Sequence, residues 1–144
     1  MPGGSVQAYE RVEEMLGKIA AKDKNGKPCS TYIGPDGAGH FVKMLHNGIE
    51  YGEMQLIAEF YHYLRFGFQL PPEEIADIFE KWNYEMQSYL LEISVEILKK
   101  KEGDEYLIDK ILDAAKQKGT GGWSTNAALE LGVSFDTITA AVMA

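Results

Sequence analysis

The stretch 35–66 constrains this chain more than any other. It opens with Pro35-Asp36, contains no later proline, and repeats apolar residues at helical spacing until Gly67. Val42, Leu45, Ile49, Leu56, Phe60 and Leu64 gather on one side at 100° per residue. A helix of that length with an apolar stripe must pack against other helices, and the sequence supplies them. Pro71-Pro72 with Glu73 and Glu74 starts a helix that runs to about residue 83. Another spans 85–101 and ends in Lys99-Lys100-Lys101 before Gly103. Shorter helices are expected over 106–116, from Ser124 to residue 131, and from Ser134 to the end of the chain.

The opening is of another kind. Ser5 caps an expected helix over 6–21, and Cys29-Ser30-Thr31-Tyr32-Ile33 has the composition of a short strand. One strand leaves its ladder groups unpaired, so residues 1–34 read as the remnant of an α/β domain whose other strands lie elsewhere. Residues 35–144 read as a mainly α, multi-helix domain built on one long central helix. The last helix is still periodic at Ile138, Val142 and Met143, so both ends read as cuts through a larger protein.

Composition narrows the function classes. Lys plus Arg number 14 against 22 Asp plus Glu, for a net charge of −8, which disfavours phosphate-driven nucleic-acid binding and docking on anionic membranes. No apolar run approaches the ~20 residues of a membrane span, and the start lacks a signal-peptide pattern. Cys29 is the one cysteine, so no intrachain disulfide can form; it reads as a small core residue. The aromatics Phe60, Phe66, Phe68, Phe79, Trp82 and Tyr89 read as core as well.

A second face of the long helix holds the chemistry. Lys43, His46, Asn47 and Glu50 fall at i, i+3, i+4 and i+7, with Tyr51 at their edge. A lysine and a glutamate so placed can act as base and acid if burial moves their pKa values toward neutrality. The same spacing also suits a solvated face, where a Lys–Glu pair is worth little. Gly48 and Gly52, one turn apart beside the apolar stripe, let another helix approach closely. Two glycine-rich segments are candidate anion sites: Gly34-Pro35-Asp36-Gly37-Ala38-Gly39 at the helix start, and Lys118-Gly119-Thr120-Gly121-Gly122 farther on. Neither has dinucleotide or Walker spacing, and the second is also an ordinary glycine cap. His46 and Glu50 alone do not make a metal site.

These residues carry a resemblance. Gly34-x-x-Gly37-x-Gly39-x-x-x-Lys43-x-x-x-Asn47 resembles the β-hydroxyacid dehydrogenase group. His46-Asn47-Gly48-Ile49-Glu50-Tyr51-Gly52-Glu53-Met54-Gln55 and Gln117-Lys118-Gly119-Thr120-Gly121-x-Trp123 resemble, more particularly, the 6-phosphogluconate dehydrogenase family of the pentose phosphate pathway and gluconate utilization. Gly122 stands where that family usually has a lysine. The resemblance implies a cytoplasmic, homodimeric enzyme that oxidises 6-phosphogluconate with NADP and decarboxylates it to ribulose 5-phosphate. It implies Lys43 as base and then acid, Glu50 as the acid that protonates C1, His46 and Asn47 as substrate-positioning groups, and Tyr51, Lys118 and Thr120 as phosphate ligands. It also implies that NADP is bound by a Rossmann-like N-terminal domain of which residues 1–34 are the end. On that reading this chain holds no cofactor-binding residue and no metal, and is inactive by itself. Two other readings stay open: a non-catalytic helical module that dimerises, and another β-hydroxyacid dehydrogenase acting on a small acid.

Overall fold

A computed structural model describes residues 1–116 and 118–144. Six α-helices account for most of them: α1 (Val6–Ile19), α2 (Ala38–His62), α3 (Pro72–Met86), α4 (Tyr89–Lys99), α5 (Thr120–Leu131) and α6 (Asp136–Met143). The strands among the described residues are the short pair β1 (Lys101–Glu102) and β2 (Glu105–Tyr106). The architecture is mainly α, as the helical periodicity requires. Two compact units share the chain. One comprises Met1–Ile49 with Gly119–Thr139, the other Glu50–Lys118 with Ala140–Ala144, so the long helix α2 contributes to both.

In the first unit, backbone meets backbone. Ser5 caps α1 by accepting from the Ala8 N–H at 3.3 Å, yet α1 buries no residue. The extended segment after it does not form the expected strand over 29–33. Cys29 N–H donates to Ala21 O at 2.8 Å and Ile33 N–H to Pro2 O at 2.9 Å, and among the described residues only an isolated antiparallel bridge, Lys22 to Pro28, forms beside it. Cys29 is exposed rather than in a core. Residues Met1 to Gly4 lie against the start of α2: Gly4 N–H donates to Gly34 O at 3.0 Å, and the Tyr32 hydroxyl donates to Gly4 O at 2.8 Å. A Cβ on Gly39 would overlap the Met1 carbonyl oxygen and fall 2.8 Å from Gly3 N, so glycine is required there. Helix α2 begins at Ala38 rather than at Pro35, because Pro35 to Gly37 are spent on a turn closed by Ala38 N–H to Pro35 O.

In the second unit, side chains do the packing. Proline at the first helical position and Glu73 and Glu74 in the first turn start α3, as expected. The break after it comes at Gln87, in the left-handed region at φ 54°, followed by Ser88, whose hydroxyl caps α4 at Leu91 N–H. Ile75, Ala76, Phe79, Leu91 and Leu98 form the buried core of this hairpin of helices. The second half of α2 packs on it through Ile57, Tyr61 and Leu64. This corrects the expected core stripe. Leu64 packs as expected, but Ile57 and Tyr61 take the place of Leu56 and Phe60, and Ile49, Leu56 and Phe60 remain 58%, 50% and 48% exposed.

Leu56 and Phe60 instead wall a groove of about 240 Å³ with Trp82, Met86 and Leu91. Phe66, Phe68 and Tyr89 are also exposed, and of the expected aromatic core Phe79 alone is fully buried, with Trp82 stacked on it at 5.5 Å. Helix α2 ends at His62 in a π-helical turn, Tyr63–Gly67, held by Arg65, which donates to Leu70 O and pairs with Asp109. Burial pushes the Tyr61 phenol up, with Arg65 opposing. The helix expected over 106–116 does not form. Gly103, at φ 65°, is the turn of the β1–β2 hairpin, and a single 3-10 turn, Leu107–Lys110, follows.

Candidate active site

The first unit holds Lys43, His46 and Asn47 on residues 38–49 of α2, and Thr120 at the first position of α5. The Lys43 ammonium donates to His46 Nδ1 at 3.2 Å, an i, i+3 pair on one helix face. Both side chains are exposed and Asn47 is half-buried. Glu50 and Tyr51, both half-buried, follow on the same unbroken helix and belong to the second unit, as does Lys118, which is exposed.

The two glycine-rich segments turn out differently from each other. Gly34 and Gly39 are buried; the close approach that Gly39 permits is used by residues Met1 to Gly3, whereas a Cβ on Gly34 would lie 3.0 Å from Ala38 Cβ. The loop expected at 118–122 is shorter than its sequence suggests: Gly119, at φ 101°, is the N-cap and Thr120 to Gly122 already form the first turn of α5. Among the described residues no side chain caps that turn, and its N–H groups and the positive end of the helix dipole lie beside the Thr120 hydroxyl. Gln117, part of the same family segment, lies outside the described residues.

A buried residue that sequence reasoning assigned to a cap joins these pieces. Ser124 is fully buried in the body of α5, and its hydroxyl donates to Gly121 O at 2.7 Å. It stands directly over Gly48: a Cβ on Gly48 would lie 2.6 Å from Ser124 Oγ and 3.2 Å from Ile138 Cγ2. The helix approach foreseen from Gly48 is thus made by α5. Asn47 neighbours that crossing on α2, and Thr120 lies one turn before it on α5, ~6 Å along the axis. The α5–α6 pair is tied by Thr125 and Thr139, whose hydroxyl oxygens lie 3.3 Å apart.

The two apolar grooves compete poorly. The groove beside Trp82 and a second one of about 330 Å³ beside Ile97 and Ile108 are apolar, and neither offers a set of groups for an anionic sugar. Among the described residues no cluster of three His, Cys, Asp or Glu side chains could hold a metal, and no helix is long and apolar enough to cross a membrane.

Comparison with known proteins bears on this arrangement. The family model for the 6-phosphogluconate dehydrogenase C-terminal domain matches residues 39–144. The decarboxylating 6-phosphogluconate dehydrogenases of Shigella boydii and Escherichia coli strain K12 are each 55% identical over the whole chain. The chain spans about a third of the length of these curated relatives (33% and 31%). A solved structure of Plasmodium falciparum 6-phosphogluconate dehydrogenase, studied in its apo form, with its cofactor NADP+ and with its substrate 6-phosphogluconate, superposes with a TM-score of 0.90. That match has 46% identity and covers 99% of this chain and 31% of that one.

Proposed function

The chain belongs to the 6-phosphogluconate dehydrogenase C-terminal-domain family, and on that premise we propose that it supplies the acid, the base and part of the phosphate clamp of an NADP-dependent oxidative decarboxylation of 6-phosphogluconate to ribulose 5-phosphate. The observation that supports this reading best is the unbroken run of α2 through Lys43, His46, Asn47, Glu50 and Tyr51, which keeps their helical register.

In this reading Lys43 takes the proton of the C3 hydroxyl as the alcohol becomes a ketone. It returns that proton to the ketone oxygen as the carboxylate leaves as carbon dioxide and the bonding pair moves into an enediol. Glu50 then protonates C1 and gives the ketose. His46 and Asn47 orient the sugar acid; Tyr51, Lys118 and Thr120 hold its phosphate. Acid–base assistance of this kind is worth ~10²–10⁴ in rate.

NADP is the oxidant in this scheme. The described residues do not fit it: their one sheet is a two-stranded antiparallel hairpin, with no parallel strand leading into a pyrophosphate-binding turn. We therefore assign its binding to an α/β domain of which residues 1–34 are the end, and no step of hydride acceptance to this chain. A cytoplasmic homodimer belongs to the same proposal; the exposed Leu56, Phe60 and Met86 support an apolar partner surface.

The test is a chimera in which this chain replaces the matching third of the Escherichia coli relative. It should form NADPH and carbon dioxide in step when given 6-phosphogluconate, whereas the 144-residue chain alone should form neither. A folded chimera that binds NADP but leaves 6-phosphogluconate untouched would contradict the proposal.

A further inference from the structure

The motif glycine Gly48 lies beside the proton-transfer residues, but nothing in the proposed chemistry uses it. Its surroundings are specific. Ser124 Oγ sits where a Cβ would come within 2.6 Å, Ser124 Cβ would be at 3.3 Å, and Ile138 Cγ2 at 3.2 Å. The first contact is shorter than real methyl groups show and the other two are tighter than most, and the obvious escape is closed. Turning the Ser124 hydroxyl away would break its bond to Gly121 O inside a fully buried site, and would leave Ser124 Cβ and Ile138 where they are. An alanine at 48 must therefore move α5 off α2.

What α5 carries at this end makes the spacing matter. Thr120 and the N–H groups of the first turn lie one turn before Ser124, and Asn47 adjoins Gly48 on α2. The Ser124–Gly121 bond ties the crossing point to that same first turn.

We infer that the Gly48–Ser124 crossing is a positioning joint, which fixes the distance from the α2 groups that handle the sugar acid to the α5 turn that grips its phosphate, and so makes Gly48 and Ser124 determinants of selectivity for phosphorylated over unphosphorylated substrate. The inference rests on the proposed function. Neither residue touches substrate; both act through the placement of Asn47 and Thr120. Displacements near 1 Å in such constellations cost on the order of a hundredfold in rate.

The experiment uses the chimera and compares kcat/KM for 6-phosphogluconate with kcat/KM for gluconate, which lacks the phosphate. Gly48→Ala should lower the ratio of the two by about tenfold or more, mainly through KM for 6-phosphogluconate, with gluconate turnover little changed. The double variant Gly48→Ala/Ser124→Ala, which removes the hydroxyl nearest the new methyl, should recover much of the ratio. It also serves as the test should the single variant fail to fold. Equal losses toward both substrates, an unchanged ratio, or a double variant no better than the single would overturn the inference while leaving the proposed function in place. An inert parent chimera would sink both.

Discussion

The two units of this chain are held by different physics. In the second, the interior is made of side chains: Phe79, Ile75, Leu91 and Leu98 exclude water, Trp82 stacks on Phe79, and cohesion grows with apolar area. In the first, the buried positions are Gly34, Gly39, Gly48, Gly121, Ser124, Thr125 and Ala128, and cohesion comes from backbone hydrogen bonds and from the absence of Cβ atoms. A side-chain core tolerates changes of shape at constant volume, whereas a glycine contact tolerates no added atom. The first kind suits a scaffold. The second suits a place where short polar groups must be held at fixed spacing, and Lys43, His46, Asn47 and Thr120 all belong to that unit.

The contrast can be strained from both sides. Phe79→Ala empties the side-chain core and should cost about 3–5 kcal/mol, read as a loss of amide protection in α3 and α4 by hydrogen exchange. Retained protection there would show that the second unit does not depend on its core. Gly39→Ala should cost about 1–3 kcal/mol, because the new methyl must displace the backbone of Met1 and Gly3. Faster exchange of the Gly4 and Ile33 amides, whose acceptors are Gly34 O and Pro2 O, would mark it. A neutral Gly39→Ala would remove the distinction drawn here.

Smaller effects sharpen the picture. Ser88→Ala removes the cap of α4 and the contact of the Ser88 hydroxyl with Glu53, and should cost about 1 kcal/mol in a denaturant titration. The smallest effect is electrostatic. Lys99, hydrogen-bonded to Glu80 and near Asp77, is held above its ordinary value of 10.5, chiefly by Glu80. A raised lysine pKa stabilises the fold below the unfolded value, and that contribution disappears as pH climbs through the raised one. Glu80→Gln should therefore flatten the alkaline decline of the melting temperature slightly; an unchanged decline would show the pair to be idle.

Much of this was legible in the amino acids. The cap at Ser5, the prolines before α3 and the long period of α2 act locally, so local sequence reveals them. The Ser88 cap was missed, because Ser88 falls inside the helix expected over 85–101 and the break comes at Gln87, four residues later than expected. The misplaced elements were those decided by partners. Residues 29–33 have strand composition but no neighbouring strand. Gly103 reads equally as a helix stop or a hairpin turn, and Gly103-Asp104 between short polar strands makes it the latter. On α2, Ile57 and Tyr61 pack against the α3–α4 core, whereas Leu56 and Phe60 line an open groove, Phe60 edge-on to Trp82 at 5.3 Å. At the site, spacing alone yields the polar stripe and predicts that a helix crosses at Gly48. It does not say which helix, because Ser124 is distant in sequence and reads as a cap.

The account stands or falls on Lys43 and Glu50 as the proton-transfer pair of α2. The direct measurement is turnover of 6-phosphogluconate by the chimera carrying Lys43→Met or Glu50→Gln, beside its melting temperature. Lys43 is exposed and Glu50 only half-buried, so the melting temperature should stay near that of the parent while kcat falls by ~10²–10⁴ in each case. Parent-like kcat in either variant would contradict the account.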